Sequence, residues 1–106
     1  LIAVADIIRS SVRRVDVAVR YGGEEFVILL PETEKEMAVA VAERIRSKVE
    51  SRIFRYEDEE VRTSISLGVA QLSGEKDFTS EALVKRADMA LYRSKHGGRN
   101  RVSTAD

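Results

Sequence analysis

Leu1, Val4, Ala5, Ile8 and Val12 recur at helical spacing, which predicts an amphipathic helix already under way at the first residue. Ser10 and Ser11 weaken it, and it is expected to end near Arg13 or Arg14. Val17, Val19 and Tyr21 then alternate with Asp16, Ala18 and Arg20, the period of a half-buried strand. Gly22-Gly23 follows, and after it Phe26-Val27-Ile28-Leu29-Leu30 is a continuous apolar run of the kind found in strands covered on both faces. Two strands around a glycine pair predict a hairpin, because glycine accepts the positive φ of a tight turn.

Pro31 stops the second strand. Thr33 with Glu36 has the spacing of a capping box, and Met37, Val41, Ile45 and Val49, flanked by Ala38 and Ala42, predict a helix over residues 35–52. Glu57-Asp58-Glu59-Glu60 reads as a solvated turn, and the β-branched, alternating residues 61–70 as one strand. Residues 73–77 read as a loop. Thr79 is an expected N-cap, with Phe78 and Leu83 placed for a hydrophobic staple. Leu83, Ala87, Ala90 and Leu91 form the apolar stripe of the helix that follows, Gly97-Gly98 stops it, and Arg101 and Val102 open a short last strand. The order is α, β-hairpin, α, β, α, β, one α+β unit without repeats, low-complexity segments or a linker.

Composition narrows the functions open to such a unit. The 106 residues hold 18 Lys plus Arg against 18 Asp plus Glu, so no global field draws the chain to nucleic acid or an anionic membrane. With 43% hydrophobic and 34% charged residues the chain is globular rather than disordered. It has no Cys, which removes disulfides, thiolate zinc and iron–sulfur sites and fits a reducing compartment. No apolar run approaches the roughly 18 residues that span a bilayer, and the first residues lack a signal peptide's basic flank and cleavage site. The chain begins without Met and inside an apolar pattern, as a piece of something longer would.

The one segment with concentrated chemistry is Arg20-Tyr21-Gly22-Gly23-Glu24-Glu25-Phe26. It sets two carboxylates at a hairpin tip, beside two residues without Cβ atoms, where a bulky ligand can approach the backbone. Adjacent carboxylates repel unless a positive group lies between them, and hard divalent cations such as Mg²⁺ bind through one or two carboxylates plus substrate phosphates. A plain glycine turn followed by solvated Glu side chains has the same sequence. His96 is the only His, so no transition-metal site is expected, and it reads as an exposed helix-end residue. Asp88 reads as a helix-surface charge; Tyr56 and Tyr92 read as packing or rim residues.

Gly22-Gly23-Glu24-Glu25-Phe26 resembles the signature of the GGDEF domains, the diguanylate cyclases. Four further segments are similar to that family: Thr63-Ser64-Ile65-Ser66-Leu67-Gly68-Val69-Ala70, the run from Ala87-Asp88-Met89-Ala90-Leu91-Tyr92 to Lys95 with Gly98-Arg99-Asn100-Arg101-Val102, Arg13 with Asp16, and Arg44. The resemblance implies a palm-like, ferredoxin or nucleotide-cyclase type of antiparallel sheet with flanking helices. It implies condensation of two GTP into cyclic di-GMP and pyrophosphate with Mg²⁺ or Mn²⁺. By position, Glu24 and Glu25 would be the catalytic and metal-binding acids, Gly22 and Gly23 the nucleotide's backbone platform, and Lys95 and Arg99 the phosphate-binding pair. Arg13, Asp16 and Arg44 would form a product-inhibition site, an arginine fork for guanine O6 and N7 with a carboxylate for N1–H and N2–H.

The family's first strand and helix, with a metal-binding Asp and the Asn and Asp that read guanine, have no counterpart in this sequence. Residues 1–106 are therefore expected to be a partial GGDEF domain, inactive alone, whose unpaired sheet edges borrow a strand, swap one with a second copy or close by rearrangement. Further implications are a homodimer, because two half-sites must meet, and a cytoplasmic setting with any membrane contact made by other parts of the parent. A cyclic di-GMP receptor using only Arg13, Asp16 and Arg44 is the alternative.

Overall fold

The computed structural model describes residues 2–21, 25–74, 77 and 79–105. Helix α1, Ile2–Ser11, buries Ile7 and Ile8. It ends before Arg13 because the Ser10 and Ser11 hydroxyls donate back to the Ile7 carbonyl, at 3.0 and 2.7 Å. The Arg13 amide then turns out of the helix to donate to the Asp16 carboxylate at 2.7 Å.

Strands β1, Val17–Arg20, and β2, Phe26–Leu29, pair antiparallel with Val17 opposite Leu29 and Val19 opposite Val27. Gly22, Gly23 and Glu24, the expected tip, lie outside the described residues. Phe26 and Ile28 pack on a core of Ile7, Ile8, Ile45 and Val49. The opposite face is open: Val17 and Val19 are each 47% exposed and Leu29 48%. The expectation of a half-buried β1 and of a β2 covered on both faces is thus corrected, since the helical layer meets only one face of the hairpin.

Helix α2, Lys35–Ser51, buries Ala42, Ile45 and Val49 as its spacing required, but Met37 is 61% exposed. The capping box does not form. Glu34 is the N-cap and makes no side-chain cap bond, while the Thr33 hydroxyl donates to the Pro31 carbonyl and accepts from Arg13, each at 2.9 Å. The arginine outcompetes the helix amide because a charged donor makes the stronger bond.

The single strand expected over residues 61–70 is two. Glu57 and Asp58 take left-handed φ values of 48° and 69°, a tight turn that brings Glu59 and Glu60 into a ladder. It joins β3, Ile53–Tyr56, to β4, Glu59–Arg62, and Arg55 pairs with Glu60 across the hairpin at 3.2 Å. Strand β5, Leu67–Val69, instead pairs parallel with β6, Val102–Thr104. Helix α3, Ser80–His96, starts as expected at Thr79, whose hydroxyl accepts from the Ala82 amide at 3.1 Å, and ends at Gly97. The staple partner Phe78 lies outside the described residues.

The α+β class stands, with the strands in three separate pairs, one of them parallel, rather than in one antiparallel sheet. Among the described residues β2 and β5 each pair on one side only, so no rearrangement within the chain joins them. The tightest join is α3 on β5. A Cβ on Gly68 would lie 2.2 Å from the Ala87 carbonyl oxygen and 2.3 Å from the Leu91 nitrogen. Both obstacles are helix backbone, which cannot rotate away. Gly68→Ala should therefore cost at least about 2 kcal/mol by forcing the helix off the strand. Chemical denaturation checks this, and an unchanged midpoint would contradict the contact.

Candidate functional site

Two groups of sequence-predicted residues come together in space. In the first, Arg13 follows α1, Asp16 precedes β1 and Arg44 lies on α2, and all line one cavity of about 240 Å³ with Ser11, Thr33, Met37 and Val41. Arg13 forks onto Asp16, with Nη2 donating to Oδ1 at 2.9 Å and Nε to both oxygens at 3.3 Å. The same Nη2 also meets the Pro31 carbonyl and Thr33 hydroxyl at 2.9 Å. Arg44 Nη2 donates to the Ser11 carbonyl at 2.7 Å, so it also closes the C-terminus of α1.

The Asp16 side chain is only 2% exposed, whereas Arg13 is 55% exposed. The hydrogen bond from Arg13 holds the Asp16 carboxyl below the usual carboxylate range, against a smaller opposing effect of burial. The reciprocal bond pushes the Arg13 guanidinium above its ordinary value. The cavity thus gathers a fixed anion, two arginines already engaged with protein acceptors and the apolar surfaces of Met37 and Val41. Those are the elements that recognise a flat heterocycle with a donor edge and an acceptor edge. Thr33 and Met37 were not singled out from sequence, Thr33 because it matched a helix cap and Met37 because it matched the core stripe.

The second group pairs α3 with the start of β2. Lys95, in the last turn of α3, places Nζ 3.9 Å from the Glu25 carboxylate at the foot of β2. Their side chains are 39% and 46% exposed, so the pair is held at a rim and contributes little to stability. Its significance is positional: the acidic hairpin and the cationic helix end face each other. Arg99 follows in a loop where Gly98, Arg99 and Asn100 all have positive φ, of 122°, 61° and 47°. Left-handed non-glycine residues cost about 1–3 kcal/mol each and persist where neighbours over-determine them. The Arg99 amide donates to the Ser94 carbonyl at 2.9 Å.

Gly22, Gly23 and Glu24 lie outside the described residues, so their geometry enters nothing here. Among the described residues no three His, Cys, Asp or Glu side chains gather as a metal cage. The described donor, Glu25, is a carboxylate open to a ligand, which fits a hard divalent cation that takes its remaining oxygens from phosphate and water. His96 stacks on Tyr92 with ring centroids 3.8 Å apart and bonds the Tyr92 carbonyl, so it sits at the helix end as expected.

Comparison with known proteins places these groups in context. Residues 1–101 match the family model described as diguanylate cyclase, GGDEF domain. The chain is 46% identical over 100 residues to diguanylate cyclase A of Treponema denticola, covering 94% of this chain and 27% of that protein. It is 46% identical over 95 residues to the response regulator PleD of Caulobacter vibrioides, covering 88% of this chain and 21% of that protein. The GGDEF domain of DgcB from Caulobacter crescentus, solved in complex with c-di-GMP, superposes with a TM-score of 0.88 at 35% identity over 95% of this chain and 60% of that one. The active GGEEF domain of a diguanylate cyclase from Vibrio cholerae gives 0.89 at 32% identity over 100% of this chain and 66% of that one. The chain thus spans about a quarter of these curated relatives' length, and less than two thirds of either solved chain.

The Arg13–Asp16 geometry sets a pH dependence. A carboxyl whose folded pKa is depressed contributes stability that is present above the unfolded value, near about 3.9, and is lost as pH falls through the lower folded value. The difference in melting temperature between the natural protein and Asp16→Asn should therefore hold constant from neutral pH to about 4 and shrink below it. A difference that vanishes already between pH 7 and 5 contradicts this pairing.

Proposed function

This chain belongs to the diguanylate cyclase GGDEF domain family, and on that premise we propose that it carries part of a GTP-condensing site together with a separate site for the product. The observation that carries the reading is the approach of Lys95 Nζ to within 3.9 Å of Glu25. It brings the acidic end of the signature and the cationic end of α3 to one rim, the pairing that a metal-bound triphosphate requires. Lys95 and Arg99 bind the phosphates; Gly22 and Gly23 let the nucleotide lie along the hairpin; Glu24 and Glu25 hold Mg²⁺ or Mn²⁺. When bound, the cation neutralises phosphate charge and orients the α-phosphate.

Each nucleotide's 3′-hydroxyl passes its proton to the acidic pair as its oxygen attacks the other's α-phosphorus, a new P–O bond forms, and the bond to the β-phosphate oxygen breaks to release pyrophosphate. Two half-sites must face each other, so the working unit is a homodimer. Cyclic di-GMP then binds at Arg13, Asp16 and Arg44, the guanine edge taking over the fork that Arg13 now spends on Asp16. The solved GGDEF chains are longer than this one, and in our reading the remaining strand and helix region supply a further metal-binding Asp and the guanine readers. Residues 1–106 alone then give no turnover. No helix among the described residues is long and apolar enough to cross a membrane, and we place the reaction in the cytoplasm, where GTP is available.

In the whole protein with GTP and Mg²⁺, Glu24→Gln and Lys95→Ala should each lower cyclic di-GMP formation at least about a hundredfold, since catalysis here is charge placement. Undiminished output from both overturns the assignment. Arg13→Ala should leave the initial rate intact, weaken product binding at least about tenfold and raise the level of product at which synthesis stalls. Titration with cyclic di-GMP and the progress curve measure the two effects.

A further inference from the structure

The left-handed loop after α3 is held by a side-chain network on α2. Asn100 Oδ1 accepts from Arg46 Nη1 at 2.9 Å, and Asn100 Nδ2 donates to the Glu50 carboxylate. Arg46 Nη1 also donates to Glu50 at 3.2 Å, while its Nε donates to Glu43 at 2.8 Å. The Arg46 side chain is 16% exposed and is flanked by two carboxylates, so it has one resting place. Asn100 and Arg46 together hold Glu50 below the usual carboxylate range, the Asn100 bond contributing most, so the acceptor of this clamp is a carboxylate anion at neutral pH.

We infer that Arg46 and Glu50 are positioning residues that act through Asn100 to fix the turn from which Arg99 reaches the nucleotide's phosphates. The inference rests on the phosphate-binding reading of Arg99 and adds a mechanism to it. Arg99 sits between two anchors. On one side its amide donates to the Ser94 carbonyl at 2.9 Å. On the other, Asn100 is clamped to α2. The Arg99 carbonyl in turn accepts from Arg101 Nε at 3.1 Å, and the Arg101 carbonyl accepts the Leu67 amide at 3.0 Å. With its backbone held at both ends, an exposed arginine loses less freedom on meeting a phosphate, which favours binding. Three successive left-handed residues would relax without the clamp, and the guanidinium would move with them.

Asn100→Gly separates this role from simple bracing, because glycine accepts the left-handed backbone while removing both amide bonds. In the whole protein with GTP and Mg²⁺, Asn100→Gly and Glu50→Ala should each raise KM for GTP by about tenfold or more, with kcat little changed, as loss of uniform binding does. Their combination should be no worse than either alone, because they break one unit. Glu50→Gln, which keeps an acceptor oxygen for the Asn100 amide, should restore most of the affinity. Arg46→Ala should match them where it folds, as judged by circular dichroism. A wild-type KM in Asn100→Gly, with only the melting temperature lowered, makes the network a brace and overturns the inference while the phosphate reading stands. Unchanged KM in Arg99→Ala removes the phosphate reading and the inference with it.

Discussion

The close seating of α3 on β5 is the constraint from which the rest of the arrangement follows. At Gly68 the strand meets helix backbone with no room for a methyl group, and Ala90 and Ser94 are fully buried beside it. Ser94 adds direction to this contact: its hydroxyl bonds the Leu67 carbonyl and the Ser103 hydroxyl, each at 2.7 Å, so one side chain ties α3 to both strands of the parallel pair. Small residues here trade hydrophobic area for proximity, and proximity fixes the rotation and register of the helix. The last turn of α3 therefore points Lys95 at the hairpin, and the loop after Gly97 leaves in a set direction. A larger residue at any of these positions would move the cationic end before it touched the chemistry.

Helix α2 is the second fixed body, and it supports both groups of candidate residues. Arg44 bonds the C-terminal carbonyl of α1 and lines the Arg13–Asp16 cavity. Arg46, two positions on, faces the other way around the helix and reaches Asn100. Because α2 buries Ile45 between them against the core, the two arginines are carried on one rigid element. The Arg13–Asp16 cavity and the loop after α3 thus share a support, and a shift of α2 would be felt at both.

The strand pairs are joined less tightly than the helices. The hairpin β1–β2 presents Val17, Val19 and Leu29 to solvent, and β2 and β5 each leave an unpaired edge among the described residues. Exposed apolar strand faces and open edges favour further pairing.

Local chemistry made much of this legible from sequence alone. Helical spacing placed α2 to within a residue at either end, Thr79 and Gly97 marked the limits of α3, and Glu25 and Lys95, both drawn from the family resemblance, approach each other in space. The Arg13–Asp16 pair was equally visible, because three residues across a turn can meet without help from the rest of the chain. What tertiary structure decided was every choice between competing partners. Thr33 had the pattern of a cap but was taken by Arg13; residues 61–70 had the period of one strand but were divided between β4, which pairs with β3, and β5, which pairs with β6. Gly68 carried no outward sign of the helix lying against it, and nothing near Asn100 in sequence announced Arg46, 54 residues away. Periodicity reports which face of an element is apolar. It does not report which surface that face will meet, and the unpaired donors and acceptors at each meeting choose their partners only after the elements have packed.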